Sequence, residues 1–216
     1  MGEAPSYGQF CPVSMAAEVL CNRWTVLVLR EMLAGTTRFN DLRRGVPRMS
    51  PSLLSKRLKE LVTAGVVRVG PGPGGVPEYR LTEAGEELRP VVMGMGFWGQ
   101  RWVESQLSLR NLDPSLLMWD MRRNLNPQPL PPRRCTIQFR YPELPEARRN
   151  WWLVVDKGLM VTSSLRAMTA IWMGLATVTQ EVSAGRVSID GDPVVARSMQ
   201  RWLGLSPFAG AERRAS

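Results

Sequence analysis

The sequence predicts an α+β protein in two parts. Helices closed by a two-stranded hairpin make the N-terminal part, and a small sheet backed by helices makes the C-terminal part. Three observations predict this. Apolar residues recur at helical spacing through most of the first half. Two Gly/Pro-rich stretches, Gly70-Pro71-Gly72-Pro73-Gly74-Gly75-Val76-Pro77 and Asn126-Pro127-Gln128-Pro129-Leu130-Pro131-Pro132, interrupt the chain. Beyond the second, short strand-like runs give way to helical ones.

Pro12 to Leu20 reads as a short helix, and Arg23 to Ala34, apolar on nearly every side, as a buried central helix closed by Gly35. Arg38 to Arg44 is a further short helix. Ser50 followed by Pro51 is an N-cap with proline at the first helical position, and this helix runs to Ala64, where Gly65 stops it. Val66 to Val69 and Glu78 to Leu81 are strands around the first Gly/Pro turn. Thr82 caps a long helix reaching about Ser105, with a kink expected at Pro90. Asp113-Pro114 starts the next helix. Four prolines in six positions (127–132) make the second stretch a stiff linker. After it, Cys135 to Tyr141, Trp151 to Val155 and Leu159 to Thr162 read as strands, the last two as a hairpin turned by Asp156-Lys157-Gly158. Helices over Leu165 to Leu175 and Thr177 to Ala184, a strand over Arg186 to Ile189 and a helix over Pro193 to Leu203 complete the chain. The expected domains are 1–105, a helix and linker over 106–133, and 134–216.

Composition narrows the function. The 216 residues contain no histidine, which removes Ser-His-Asp and Cys-His catalysis and every histidine-containing metal site. Cys11, Cys21 and Cys135 are too few and too scattered for a disulfide framework or a structural zinc site. No cofactor and no metal are expected. The uncharged run between Arg166 and Glu181 holds 14 residues, short of the roughly 20 that span a membrane. The N-terminus lacks a basic segment followed by an apolar core, so a cytoplasmic protein is expected. With 28 basic and 19 acidic residues the net charge is +9, which points to an anionic partner, nucleic acid before membrane.

That charge is concentrated. Between Arg38 and Glu60 lie seven basic residues and two acidic ones. At about 100° per residue, Leu54, Leu58 and Leu61 share one face of the Ser50-capped helix, while Ser52, Ser55, Lys56, Lys59 and Thr63 lie opposite. A small, polar, basic face suits a helix lying in the major groove of DNA. Arg57, beside the apolar face, has a stem long enough for a phosphate. Arg38, Arg43, Arg44 and Arg48 flank the helix, and Arg68 and Arg80 on the hairpin are placed for backbone or minor-groove contact. A solvated basic face is the alternative for a lone helix of this kind. The order of elements favours a helix-turn-helix with a wing.

The motifs Cys11-Pro12, Asn22-Arg23-Trp24-Thr25, Arg38-Phe39-Asn40-Asp41-Leu42, Met49-Ser50-Pro51, Leu54-Ser55-Lys56-Arg57-Leu58-Lys59-Glu60-Leu61, Ala64-Gly65-Val66-Val67 and Glu78-Tyr79-Arg80-Leu81-Thr82-Glu83-Ala84-Gly85 resemble the HxlR branch of MarR-like winged-helix regulators, over roughly Cys11 to Glu104. The resemblance implies a homodimer whose recognition helices enter successive major grooves of a near-palindromic DNA operator. Where the family commonly has Gly-Asp before Arg-Trp, this chain has Cys21-Asn22, which removes an acidic partner. Leu88, Val91, Val92, Met95, Trp98 and Trp102 recur at helical spacing; they read as a core stripe, and the resemblance implies that part of it pairs with the partner subunit. It also makes Cys11, just before the first helix, a candidate thiol sensor.

The C-terminal part is rich in Trp and Met: Met118, Trp119, Met121, Trp151, Trp152, Met160, Met168, Trp172, Met173, Met199, Trp202 and Phe208. These suit a plain core, the better reading from sequence alone, or a pocket for a bulky apolar ligand. Runs such as Trp152-Leu153-Val154-Val155, Met160-Val161-Thr162, Ile171-Trp172-Met173-Gly174 and Trp202-Leu203-Gly204-Leu205-Ser206-Pro207-Phe208 resemble a sterol-carrier-protein-like domain over about Pro114 to Gly210. That resemblance implies a lipid-type tunnel and a hydrophobic effector contacting Met118, Trp119, Trp152, Val154, Met160, Met168, Trp172, Met173, Trp202 and Phe208. The chain is short for such a domain. The expected function is a ligand-responsive transcriptional regulator, with a repressor role. The alternatives are a hydrophobic-ligand carrier that keeps the winged helix as a dimer scaffold, and an enzyme, for which no carboxylate pair such as Asp120 with Asp156 forms a motif.

Overall fold

The computed structural model describes residues 6–103, 112–130, 136–154 and 159–211. Cys135, Val155, the Asp156 to Gly158 turn, Pro131 and Pro132, and the expected helix end at Ser105 lie outside them. The chain divides into two compact units, Met1–Met95 and Gly96–Ser216.

In the first unit, α1 covers Pro12–Leu20, α2 Thr25–Leu33, α3 Phe39–Gly45 and α4 Pro51–Thr63. The α2 helix starts two residues later than its apolar pattern suggests, because Trp24 takes a left-handed backbone, φ 79°, and cannot be a helical residue. Ser50 caps α4 by accepting from the Leu53 amide at 3.3 Å. Strands β1 (Val67–Pro71) and β2 (Pro77–Leu81) pair antiparallel across the Gly/Pro turn, Arg68 opposite Arg80 and Gly70 opposite Glu78. The core joins Val28, Leu29 and Met32 of α2, Leu42 of α3, Leu54, Leu58 and Leu61 of α4, and Val67 of β1.

The helix expected after Thr82 is two helices. α5 spans Glu83–Glu86 and α6 spans Arg89–Trp102. The break falls just before Pro90, which lacks an amide hydrogen and crowds the preceding turn. Thr82 accepts from the Gly85 amide at 3.2 Å and donates its hydroxyl to the Gly65 carbonyl at 2.7 Å, pinning the end of β2 to the end of α4.

In the second unit, β3 (Thr136–Arg140), β4 (Asn150–Val154), β5 (Leu159–Ser163) and β6 (Val187–Gly191) form one sheet in the order β4-β3-β5-β6. The helices are α7 (Pro114–Arg123), α8 (Glu146–Arg149), α9 (Leu165–Trp172), α10 (Val178–Ser183), α11 (Pro193–Arg197) and α12 (Met199–Leu203). The expected hairpin of β4 with β5 does not form. β3 lies between them, antiparallel to β4 and parallel to β5. Leu159, Val161 and Ser163 are all buried, so β5 is an interior strand and pairs on both sides, with β3 and β6. A turn signal reverses a chain; burial decides its neighbour. The expected helix over Pro193 to Leu203 breaks at Ser198, whose hydroxyl donates back to the Val194 carbonyl at 2.9 Å.

The core of this unit collects Ile137 and Phe139 of β3, Leu117, Met118 and Met121 of α7, Met168, Ile171 and Trp172 of α9, and Met199, Trp202 and Leu203 of α12. The Asp113-capped helix is thus part of this core. Its cap carboxylate accepts from the Ser115 amide at 2.9 Å.

Candidate nucleic-acid interface

The interface is built on α4. Leu54, Leu58 and Leu61 anchor it in the core, which turns the opposite face to solvent. Pro51, Ser52, Lys56, Lys59 and Thr63 are exposed there, with Ser55 half-buried beside them. The Ser50 and Ser52 hydroxyls lie 3.2 Å apart at the start of the helix. Arg43, Arg44 and Arg48 are exposed around the α3–α4 turn. Arg44 pairs with Asp41 at 2.8 Å. Lys56, Lys59, Arg43, Arg48 and Arg68 form no ion pair among the described residues.

Arg57 departs from expectation. Its side chain is only 12% exposed. It donates to the Arg23 carbonyl at 3.0 Å and pairs with Glu60 one turn on. The Arg57 guanidinium therefore ties α4 to the segment before α2 and points away from the face that Lys56 and Lys59 share.

The wing is tethered to the helices. The Tyr79 amide on β2 donates to the Thr37 carbonyl at 2.8 Å, just before α3. The next residue of each segment is charged. Glu78, only 7% exposed, holds Arg80 at 2.7 Å and lies 3.6 Å from Arg38. Arg80 beside it holds the Glu78 carboxyl below the usual carboxylate range, with Arg38 adding to the effect. Sequence reasoning passed over Glu78. The signal was available: Glu78 and Arg80 are two apart in a strand, hence on one face.

Of the expected dimer stripe, the structure separates two faces of α6. Val92 is buried and Leu88 half-buried against the first core, whereas Val91 and Met95 are exposed; Trp98 and Trp102, in the second unit, are also exposed. In the first unit an apolar groove of about 460 Å³ runs between α1, the start of α2 and α6. Val13, Ala16, Ala17 and Leu20 form one wall, Trp24, Val26 and Leu27 another, and Val91, Val92 and Met95 the third, with Cys21 and Asn22 at the edge. Sequence reasoning did not foresee this groove, which exists only where three helices meet. Cys11 is half-buried at the N-cap position of α1, and Cys21 is exposed.

The ten residues expected to contact an effector do not converge. Met118, Met168, Trp172 and Trp202 are packed in the core of the second unit. Trp152 and Val154 are exposed on the opposite face of the sheet, because alternate residues of β4 face opposite ways and Leu153 takes the inward position. Met160 is half-buried on β5, and Trp119 is stacked under the Arg122 and Arg123 guanidiniums. Met173 is half-buried against the core, its carbonyl accepting from Gln100 at 3.3 Å, and Phe208 meets Phe97 edge to face at 5.6 Å. These ten serve packing and surface roles rather than one shared cavity. Among the described residues no acidic or cysteine cluster is arranged to hold a metal, and no helix is long and apolar enough to cross a membrane.

Comparison with known proteins covers the N-terminal half of the chain. Residues 19–107 match the family of HxlR-like helix-turn-helix proteins. An HTH-type transcriptional regulator of Synechocystis is 36% identical over 101 residues, 46% of this chain and 75% of the relative. The HTH-type transcriptional regulator YvaP of Bacillus subtilis is 34% identical over 99 residues, 44% of this chain and 92% of the relative. Among solved structures, the reduced form of the B. subtilis regulator YodB aligns with TM-score 0.39 at 30% identity, covering 45% of this chain and 98% of that one.

Proposed function

Because the chain belongs to the HxlR family of DNA-binding helix-turn-helix transcriptional regulators, whose members are not enzymes, we propose that it acts as a cytoplasmic homodimeric repressor of a near-palindromic operator. The observation that carries the reading is the exposed face of α4. Core leucines aim Ser52, Ser55, Lys56 and Lys59 outward, and Arg43, Arg48 and Arg68 surround them without acidic partners among the described residues. Cations left unpaired on a small polar helix face suit phosphate contacts plus base readout. Dimerisation is supported by exposed Val91 and Met95 and by the apolar groove that they line. Scattered exposed apolar residues are ordinary, but exposed apolar residues lining an open apolar groove mark an association surface. A second copy of the chain is the occupant this reading assigns.

The C-terminal unit is the regulatory half in this proposal, responding to a hydrophobic small molecule. The resemblance of this half to a lipid-type carrier domain is what suggests the assignment, its Met and Trp side chains being taken up by the core and the surface. An effector acts only if it binds one arrangement of the dimer better than the other. The test is fluorescence anisotropy of the full chain on duplex DNA from its own upstream region, scanned over salt beside a scrambled duplex. Tight binding to the first with a steep salt dependence is expected. Lys56→Ala with Lys59→Ala should weaken binding and flatten that dependence, and an unchanged curve would remove α4 from the interface. Light scattering should give twice the chain mass, and Met95→Glu with Trp98→Glu should halve it. Loss of repression in a reporter strain lacking the protein would support the repressor role.

A further inference from the structure

We propose that Glu78 is a positioning residue for DNA binding, holding Arg38 of the helix-turn-helix and Arg80 of the wing as one paired phosphate contact. The inference rests on the interface reading above and deepens it.

The geometry gathers four observations. Both Arg80 Nε and a terminal nitrogen donate to one Glu78 oxygen, at 3.2 and 2.7 Å, while Arg38 Nε lies 3.6 Å from the other oxygen. The two oxygens therefore face two different elements. The carboxylate is nearly buried, yet the arginine side chains keep about half their surface, 48% for Arg38 and 47% for Arg80. A buried acid with two exposed bases has a net charge of +1 and presents its cations outward.

Room for the acid is made by glycine. Gly70 is its cross-strand partner, and a Cβ on Gly72 would stand 2.5 Å from Glu78 Cγ. Arg68 stands directly opposite Arg80 in the ladder. Like charges so placed repel, and the bonds from Arg80 to Glu78 draw its guanidinium away from Arg68 along the strand. The backbone bond from Tyr79 to Thr37 fixes the same two segments one residue away, so the pair is held at a set spacing.

Two roles for Glu78 predict opposite signs. As a neutraliser it would oppose binding, and removing it would tighten the complex. As a positioning residue it is worth more than the charge it subtracts, and removing it weakens the complex even though the protein becomes more positive. The experiment is anisotropy of the full chain on a mixed-sequence 30-base-pair duplex between about 0.05 and 0.3 M KCl, since phosphate contacts act on any sequence. Glu78→Ala should bind about tenfold or more weakly at 0.1 M salt. Its slope of log affinity against log salt should flatten by about 0.9 for each phosphate no longer neutralised. Glu78→Gln, which keeps an acceptor of the same shape, should recover part of both.

Arg38→Ala with Arg80→Ala should reproduce the Glu78→Ala slope, and adding Glu78→Ala to that pair should cause no further loss, its lone negative charge being all that is then removed. A further loss in the triple variant would mean that Glu78 only supports the fold, and would overturn the proposal. So would unchanged or tighter binding by Glu78→Ala, or a normal slope in the double arginine variant. Lys56→Ala with Lys59→Ala separates the two levels. If that variant also leaves binding untouched, the interface reading falls; if it alone weakens binding, only the Glu78 proposal falls.

Discussion

Replacing Gly45 by alanine should cost about 1–3 kcal/mol, because it overpacks against the buried carboxylate of an ion pair whose arginine is part-exposed. Gly45 ends α3 against α2, where a Cβ would stand 1.9 Å from Oε2 and 2.0 Å from Cδ of Glu31. Glu31 is fully buried. Its other carboxylate oxygen accepts from Arg30 at 3.0 and 2.7 Å, and the same guanidinium donates to the Gly45 carbonyl at 2.9 Å. Approaches under 3.0 Å are essentially never seen for a real Cβ, so the carboxylate has to retreat by at least about 1 Å. That displacement strains the short bonds to Arg30, whose part-exposed guanidinium can follow only as far as its own bond to the Gly45 carbonyl allows. Urea unfolding followed by circular dichroism, at fixed protein concentration, reads the loss. Glu31→Ala removes the obstacle, and alanine is a better helix former than glycine. Gly45→Ala in that background should therefore be neutral or slightly stabilising, giving a coupling of about 1–3 kcal/mol in the double-mutant cycle. A Gly45→Ala cost below about 1 kcal/mol, or simple additivity, would refute the reasoning.

Three further outcomes are expected. Glu181 is nearly buried and bidentate with Arg186, at 2.7 and 2.8 Å, and the Arg186 hydrogen bonds hold its carboxyl below the usual 4.5. A carboxyl lowered on folding stabilises the protein above its unfolded value and loses that contribution as pH falls through the folded one. Arg186→Ala should therefore lower the melting temperature at neutral pH, with the difference from wild type closing below about pH 4.5; a difference constant with pH would exclude the pair as its source. Trp202, fully buried, donates its indole NH to the Val195 carbonyl at 2.8 Å. Trp202→Ala should cost about 3–5 kcal/mol by calorimetry, with Trp202→Phe keeping much of the packing and losing the hydrogen bond. Gly96→Ala puts a Cβ 2.2 Å from the Phe208 ring and should cost about 1–3 kcal/mol, relieved by Phe208→Ala.

The helices of the first unit were legible because their signals are local. Ser50-Pro51 caps α4, Leu54, Leu58 and Leu61 set its inner face, and that periodicity places Lys56 and Lys59 outside wherever the helix packs. The Gly/Pro run marks the wing turn in the same way. Pro90 announced an interruption, and the break fell just before it.

Pairing and partnership were decided elsewhere. Which strand lies beside β3, that Arg57 turns back to the Arg23 carbonyl, and that Glu78 joins arginines from two elements all depend on segments distant in sequence. The residues expected to contact an effector show the same limit. Large apolar side chains suit a core or a cavity equally, and only packing shows that Met168, Trp172 and Trp202 fill the space they border. By itself the sequence determined the α4 helix, its N-cap and its exposed cationic face, since helical period and capping act within a few residues; the family showed in the ordered motifs. Only the tertiary structure decided which cations are held, which apolar side chains are filled space, and where three helices leave a groove, because those depend on what each side chain meets across the fold.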